Sequence, residues 1–268
     1  MTNQVAHIET TDSAWKSLYR IGGAAALIAG VVFRRNLGVE IALFSAQKQP
    51  DTVIDWFALL QSNRLLGLAY LNIFDIVNYA LVALMFLALY VVLRRVNKSH
   101  MAIAATLGFL GIAVYFASNT AFSLLSLSDQ YAAATTEAQR TPLLAAGQAM
   151  LTLNRFSSPG AHPGSGGYLS LLLVATAGTI SSVVMLRSNV FRRATAYLGI
   201  LANALDLAYC IAFAFAPTAV GELLAVLFIP AAGFLFMIWH ILVGWRLFQL
   251  GSGTLQERTE QEAWKLVG

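Results

Sequence analysis

One cysteine in 268 residues, Cys210, excludes an intrachain disulfide and a cysteine metal cluster. Set inside an apolar run, a lone thiol is expected to pack as a small hydrophobe. Histidine is scarce too. His7, His100, His162 and His240 never recur at the three- or four-residue spacing of a helical zinc site or a membrane haem, so no metal or haem cofactor is expected. There is no glycine-rich phosphate loop, which argues against an energy-coupling nucleotide-binding domain. Ser165, in Gly164-Ser165-Gly166-Gly167, lacks the strand-turn-helix setting of a nucleophile elbow. Charge is the largest deficit. Only 11% of residues are Asp, Glu, Lys or Arg, and no lysine falls inside a long apolar run, which removes a retinal-type Schiff base. No catalytic residues are assigned, and an enzyme is not the expected reading.

What fills the chain instead is hydrophobic sequence, 58% of residues with a mean hydropathy of +0.67. Six runs are long enough to cross a bilayer: about 17–33, 65–93, 101–127, 168–186, 194–216 and 221–245. A span needs roughly 20 apolar residues to cover about 30 Å of hydrocarbon, and its backbone must be paired internally. The expected fold is therefore all-α, a single integral membrane bundle of six transmembrane helices. The first run is the shortest in charge-free length and leans on the stems of Lys16 and Arg20, which can snorkel. Its Gly22, Ala26 and Gly30 repeat every fourth residue, a pattern that admits close helix packing. Glu9 and Asp12 before it and Arg34-Arg35 after it favour a retained helix over a cleaved signal peptide.

Orientation follows from the basic residues of the short loops. Arg94, Arg95 and Lys98 mark one connection and Arg187, Arg192 and Arg193 another, whereas 217–220 has none. Both termini are thus expected in the cytoplasm, with Arg34 and Arg35 as the discordant pair. The formal charge of +4 is accounted for by this asymmetry, so no nucleic-acid partner is expected. Two excursions, 34–63 and 128–167, fall on the outer side. In the first, Asp51 is the expected N-cap of a helix whose Trp56, Phe57, Leu59 and Leu60 form a stripe against the membrane surface. In the second, Thr141-Pro142 is expected to open a helix over 141–156, followed by a flexible tether over 157–167.

Polar residues within the runs carry the functional information, because an ionisable group at mid-bilayer costs about 2.5 to 3.5 kcal/mol on insertion scales. Asp206 lies about 20 Å from the inner boundary, counted from Arg193 at 1.5 Å per residue, with Asn203 one turn below it. Asp75, with Asn72 and Asn78 on the same face, lies about 28 Å from Arg94 by the same count. Asn119, Thr120 and Glu222 fall in the same outer half, and the inner half reads as apolar. Pro230 and Gly233 are expected to kink the sixth helix. Together these residues suggest an outward-open polar cavity for a small polar or amphipathic ligand. The alternative is that they serve helix packing, through hydrogen bonds worth about 0.6 kcal/mol on average. Asn72-Ile-Phe-Asp75 and Asn203-Ala-Leu-Asp206 hint at an internal repeat. His240 beside Trp239, with Trp245 nearby, reads as an interfacial anchor.

The stretches Leu87-Ala88-Leu89-Tyr90-Val91-Val92-Leu93-Arg94-Arg95-Val96-Asn97 and Arg187-Ser188-Asn189-Val190-Phe191-Arg192-Arg193-Ala194-Thr195-Ala196-Tyr197-Leu198-Gly199-Ile200-Leu201 resemble the cytoplasmic hairpins of the bacterial family called domain of unknown function 4386. The resemblance extends over about 19–250. It implies a six-helix protein of the bacterial inner membrane, in contact with membrane lipids, and brings no functional residues with it. A solute-binding or transport protein is the preferred expectation. A structural or regulatory membrane subunit is the alternative.

Overall fold

The structure, a computed structural model, describes residues 15–46, 50–154, 165–215 and 219–252; the side chains of 32–46, 154, 165, 213 and 219–230 lie outside the description. Among the described residues there are ten α-helices and no strand, as the all-α expectation requires. Six are long: α1 (Lys16–Ala46), α4 (Ile73–Leu93), α5 (Lys98–Ser118), α8 (Ser165–Leu186), α9 (Arg193–Phe215) and α10 (Ala219–Ser252). They form a closed ring in the order α1, α4, α5, α8, α9, α10, and α10 returns to α1. A further contact between α4 and α8 crosses its interior.

Five helical stretches are long and apolar enough to cross a membrane: Ile73–Leu93, Lys98–Ala133, Gly166–Leu186, Arg193–Ala212 and Ala231–Ser252. Their composition marks a multi-pass membrane protein. Ile21, Ile28, Ile103, Leu110 and Ile211 are exposed on the bundle, a surface suited to lipid and costly in water. The main core lies toward the arginine-bearing connections and includes Leu93, Met101, Met185, Phe191, Ala196 and Leu247.

The ring is sealed by glycines. A Cβ on Gly23 would meet the Phe248 amide nitrogen at 2.6 Å, and one on Gly244 would meet the Leu27 amide nitrogen at 2.7 Å, so α1 and α10 touch backbone to backbone. Arg20 Nε donates to the Gly251 carbonyl at 2.9 Å along the same seam. The anticipated stripe of Gly22, Ala26 and Gly30 divides between neighbours. Gly22 abuts Ala88 of α4, while Gly30 abuts Ile241 of α10 and Ala26 is fully buried.

Two of the expected spans are broken. The run 65–93 is not one helix, because α3 (Arg64–Tyr70) stops and the chain passes through Asn72 at φ 60°, ψ 37° before α4 begins. Asparagine tolerates this left-handed conformation better than most residues. The run 101–127 breaks at Asn119–Thr120, between α5 and α6 (Ala121–Ala133). There the Ala121 amide donates to Asn119 Oδ1 at 3.1 Å, a side-chain bond that competes with the helix ladder. The breaks face each other. Tyr115 donates its hydroxyl to the Asn72 carbonyl at 3.3 Å and Asn119 Nδ2 donates to the Leu71 carbonyl at 3.5 Å, so freed carbonyls of one break are satisfied from the other helix.

Residues 34–46 of the first expected excursion continue α1 instead, and later parts of the two excursions form a second core. Val53, Trp56, Phe57 and Leu60 of α2 (Val53–Ser62) are buried against Leu71, Ala121, Leu124 and Leu151; the last belongs to α7 (Glu137–Asn154). Trp56, Phe57 and Leu60 are therefore occupied by protein rather than by the membrane surface, with Leu59 packed beside them. The cap of α2 is Thr52, not Asp51, and its hydroxyl accepts from the Asp55 amide at 3.2 Å. Helix α7 starts at Glu137, so Pro142 sits inside it. Gln139 Oε1 accepts from the Thr135 and Thr136 amides while the Gln139 amide donates back to Thr136 Oγ1, a capping box that starts the helix before Thr141. Most of the expected tether, 157–164, lies outside the described residues, and Ser165, Gly166 and Gly167 already belong to α8.

Candidate functional site

The polar face of α4 meets α5 and α8 around Tyr79. This residue is partly buried and stacks on Tyr115 of α5, with ring centroids 4.3 Å apart and planes at 22°. It lies within electrostatic range of Asp75 on its own helix and of Asp206 and Cys210 on α9, and it faces Ser170 of α8. Ser170 is fully buried, and its Oγ makes no hydrogen bond of good geometry. Asn78 is also buried, with Oδ1 lacking a partner. Asp206 is partly buried. Among the described residues its carboxylate has neither a hydrogen bond nor an ion pair. Cys210 is buried as expected, and its carbonyl accepts from the Tyr168 hydroxyl at 3.2 Å.

The sequence-derived site residues separate into three groups. Asp75 and Asn78 are on α4 beside Tyr79, and Asp206, on α9, lies within electrostatic range of that tyrosine. Asn72, Asn119 and Thr120 hold the helix breaks, and Thr120 donates its hydroxyl to the Met150 carbonyl at 3.1 Å, tying the bundle to α7. Asn203 is a packing group. Its Nδ2 donates to the Gly199 carbonyl at 2.7 Å, and its amide fills the space that a Cβ on Gly178 of α8 would need. Glu222 belongs to α10, but its side chain lies outside the described residues, as does that of Pro230. The proposed repeat has no structural counterpart: Asn72–Asp75 occupies a helix break and first turn, whereas Asn203–Asp206 lies in the middle of α9.

Sequence reasoning missed a second polar group. Gly199 of α9 is packed so closely that a Cβ there would overlap both Ser182 Oγ and Trp239 Nε1. Both groups are buried and lack hydrogen-bond partners. His240 is buried as well; Nδ1 meets the Phe236 carbonyl at 2.7 Å, and its ring lies edge-on to Trp239 with centroids 5.1 Å apart. An anchor residue sits at the lipid surface, so the interfacial reading fails for Trp239 and His240; it remains available to the exposed Trp245. The half of the bundle nearer Arg193 is accordingly less uniformly apolar than expected. The available signal was period: Thr195, Gly199, Asn203 and Asp206 follow one face of α9 at steps of four, four and three.

Outside the bundle, Arg64 and Asp129 form an exposed ion pair at 2.8 Å, and Gln61 donates to the same carboxylate at 3.0 Å. Among the described residues no group of three or more His, Cys, Asp or Glu side chains converges as a metal site.

The family described as domain of unknown function (DUF4386) matches residues 17–244. No curated protein matches the chain, and no solved structure matches it.

Proposed function

Because the chain belongs to the DUF4386 family, whose description assigns no activity, we propose a function from the site itself: binding or transport of a small polar or amphipathic solute across a bacterial inner membrane. In this reading six helices span the bilayer, both termini are cytoplasmic, and α2, α3, α6 and α7 lie outside as a roof. The observation that carries it is the Asp206 carboxylate, which has no hydrogen bond or ion pair among the described residues and lies about 20 Å along α9 from Arg193. A carboxylate held at that depth at a cost of about 2.5 to 3.5 kcal/mol calls for a partner that arrives from outside. Asp75, Tyr79 and Ser170 supply the rest of the site.

The test is ligand-induced thermal stabilisation of purified protein and uptake into proteoliposomes, comparing wild type with Asp206→Asn. Loss of both responses with unchanged folding supports the solute-binding reading. One observation favours a second reading, a structural or regulatory subunit: Asn203 is used for packing against Gly178. That reading gains if Asp206→Asn only lowers stability or disrupts assembly.

A further inference from the structure

The chemistry of the site limits what can enter it. Around Tyr79 stand two carboxylates, Asp75 and Asp206, with the lone acceptor Oδ1 of Asn78 one turn from Asp75 and the buried hydroxyl of Ser170, which makes no hydrogen bond of good geometry, near the Tyr79 hydroxyl. On α4, α5, α8 and α9, the helices that carry these groups and their neighbours, no basic residue stands at this depth. The nearest basic residues along these helices are Arg94 and Arg193, about 28 Å from Asp75 and about 20 Å from Asp206 by helix rise, and α4 and α9 carry no lysine or arginine between those ends and the site. An anion entering here would meet like charge in a medium that screens poorly, and a neutral solute would leave the Asp206 charge uncompensated.

Aromatic groups narrow the choice further. Tyr79 and Tyr115 form a stacked pair, and an electron-rich ring face attracts an organic cation, most strongly where water is excluded. An inorganic divalent ion would instead need six or more oxygen ligands, and no such convergence of acidic side chains occurs among the described residues.

From this we infer that the solute is a small organic cation, with its ammonium group between the carboxylates of Asp206 and Asp75 and its apolar part against the Tyr79–Tyr115 pair. The inference rests on the solute-binding reading above and names the class of solute. Ser170 and Asn78 then serve as acceptors for ammonium N–H groups, which accounts for two buried polar atoms that otherwise lack partners.

The experiment is a charge-matched panel on the full chain in lipid nanodiscs, read by thermal stability and by tryptophan fluorescence titration. The probes are butylammonium, tetramethylammonium, butanol, butyrate and calcium chloride. Butylammonium and tetramethylammonium are expected to stabilise the protein saturably, whereas butanol, butyrate and calcium leave it unchanged. Asp206→Asn is expected to weaken butylammonium binding by about tenfold or more, Asp206→Glu to retain much of it, and Tyr79→Leu to weaken tetramethylammonium more than butylammonium. Butanol or butyrate binding as well as the ammonium probes, in a way that Asp206→Asn abolishes, overturns the cation while leaving solute binding intact. A saturable calcium response without an ammonium response overturns it in favour of a metal. No response to any probe by the wild type overturns both readings. The wild-type charge profile decides between these outcomes even if the Asp206 variants do not fold.

Discussion

Replacing Gly23 with alanine places a methyl group where the backbone of α10 already stands. Its Cβ would lie 2.6 Å from the Phe248 amide nitrogen, 2.8 Å from the Gly244 carbonyl oxygen and 2.9 Å from Phe248 Cα. None of these atoms can rotate away. Restoring an ordinary contact of 3.4 Å means parting the helices locally by 3.4 − 2.6 = 0.8 Å, and a gap of 0.5 to 1 Å forfeits about a quarter to a half of each dispersion well along the seam. Overpacking of this kind costs about 1–3 kcal/mol. Because no rotation relieves a clash with backbone, the upper part of that range applies, about 2–3 kcal/mol; alanine recovers up to about 1 kcal/mol of helix preference, which leaves a net loss of at least about 1–2 kcal/mol. Gly108→Ala is the internal control, because its Cβ would meet only the Phe86 ring, at 3.3 to 3.4 Å, and a side chain can yield. It is expected to be neutral or slightly stabilising. Unfolding of purified protein by SDS in mixed micelles measures both. Gly244→Ala should cost about as much as Gly23→Ala, and the double variant less than the sum, since the first methyl has already opened the gap. Wild-type stability in Gly23→Ala, or an equal fall in Gly108→Ala, would refute the backbone contact between α1 and α10.

Gly178→Ala is expected to destabilise by about 1–3 kcal/mol through overlap with the Asn203 amide, and to be largely neutral in an Asn203→Ala background; equal losses in both backgrounds in the same titration would separate the two residues. At Asn72, glycine should be accepted and alanine should cost about 1–2 kcal/mol, because the left-handed backbone disfavours a Cβ; equal stability of the two variants would argue against φ 60° there. Orientation can be checked by thiol labelling in a Cys210→Ala background, where Asn97→Cys and Asn189→Cys should react only from the cytoplasmic side and Ser62→Cys only from outside. The reverse pattern would invert the proposed topology.

Hydropathy was a good guide to the long helices because the period and length of apolar runs report helices directly. Where the chain departs from a straight helix, composition was blind. Nothing in the apolar content of 65–93 or 101–127 reveals the breaks at Asn72 and Asn119–Thr120, since each depends on a bond to the other, from Tyr115 to the Asn72 carbonyl and from Asn119 to the Leu71 carbonyl. The second core was hidden for the same reason. Trp56, Phe57 and Leu60 form an apolar stripe in either setting, and only tertiary contact with Leu124 and Leu151 distinguishes a protein core from a membrane surface. Local chemistry sufficient for a better reading was present at Thr136-Glu137-Ala138-Gln139, whose capping box outranks the Thr141-Pro142 signal. In the site, Asp75 and Asp206 stood out because ionisable residues in apolar runs are conspicuous. Tyr79, Tyr115 and Ser170 did not, because tyrosine and serine are ordinary in such helices and acquire meaning only from what they face.

The join between the first and last long helices sets a timetable for biosynthesis. Arg20 and Gly251, which meet across it, are 231 positions apart; at about 5–20 residues per second the ribosome needs roughly ten to fifty seconds to deliver the second after the first. Throughout that interval the glycine-lined flank of α1 has no cognate surface to close on. A nascent chain is therefore most exposed to wrong pairing, with its own kind or with other membrane helices, just before α10 is delivered, and arrest at that point should yield the species that quality-control proteases recognise best.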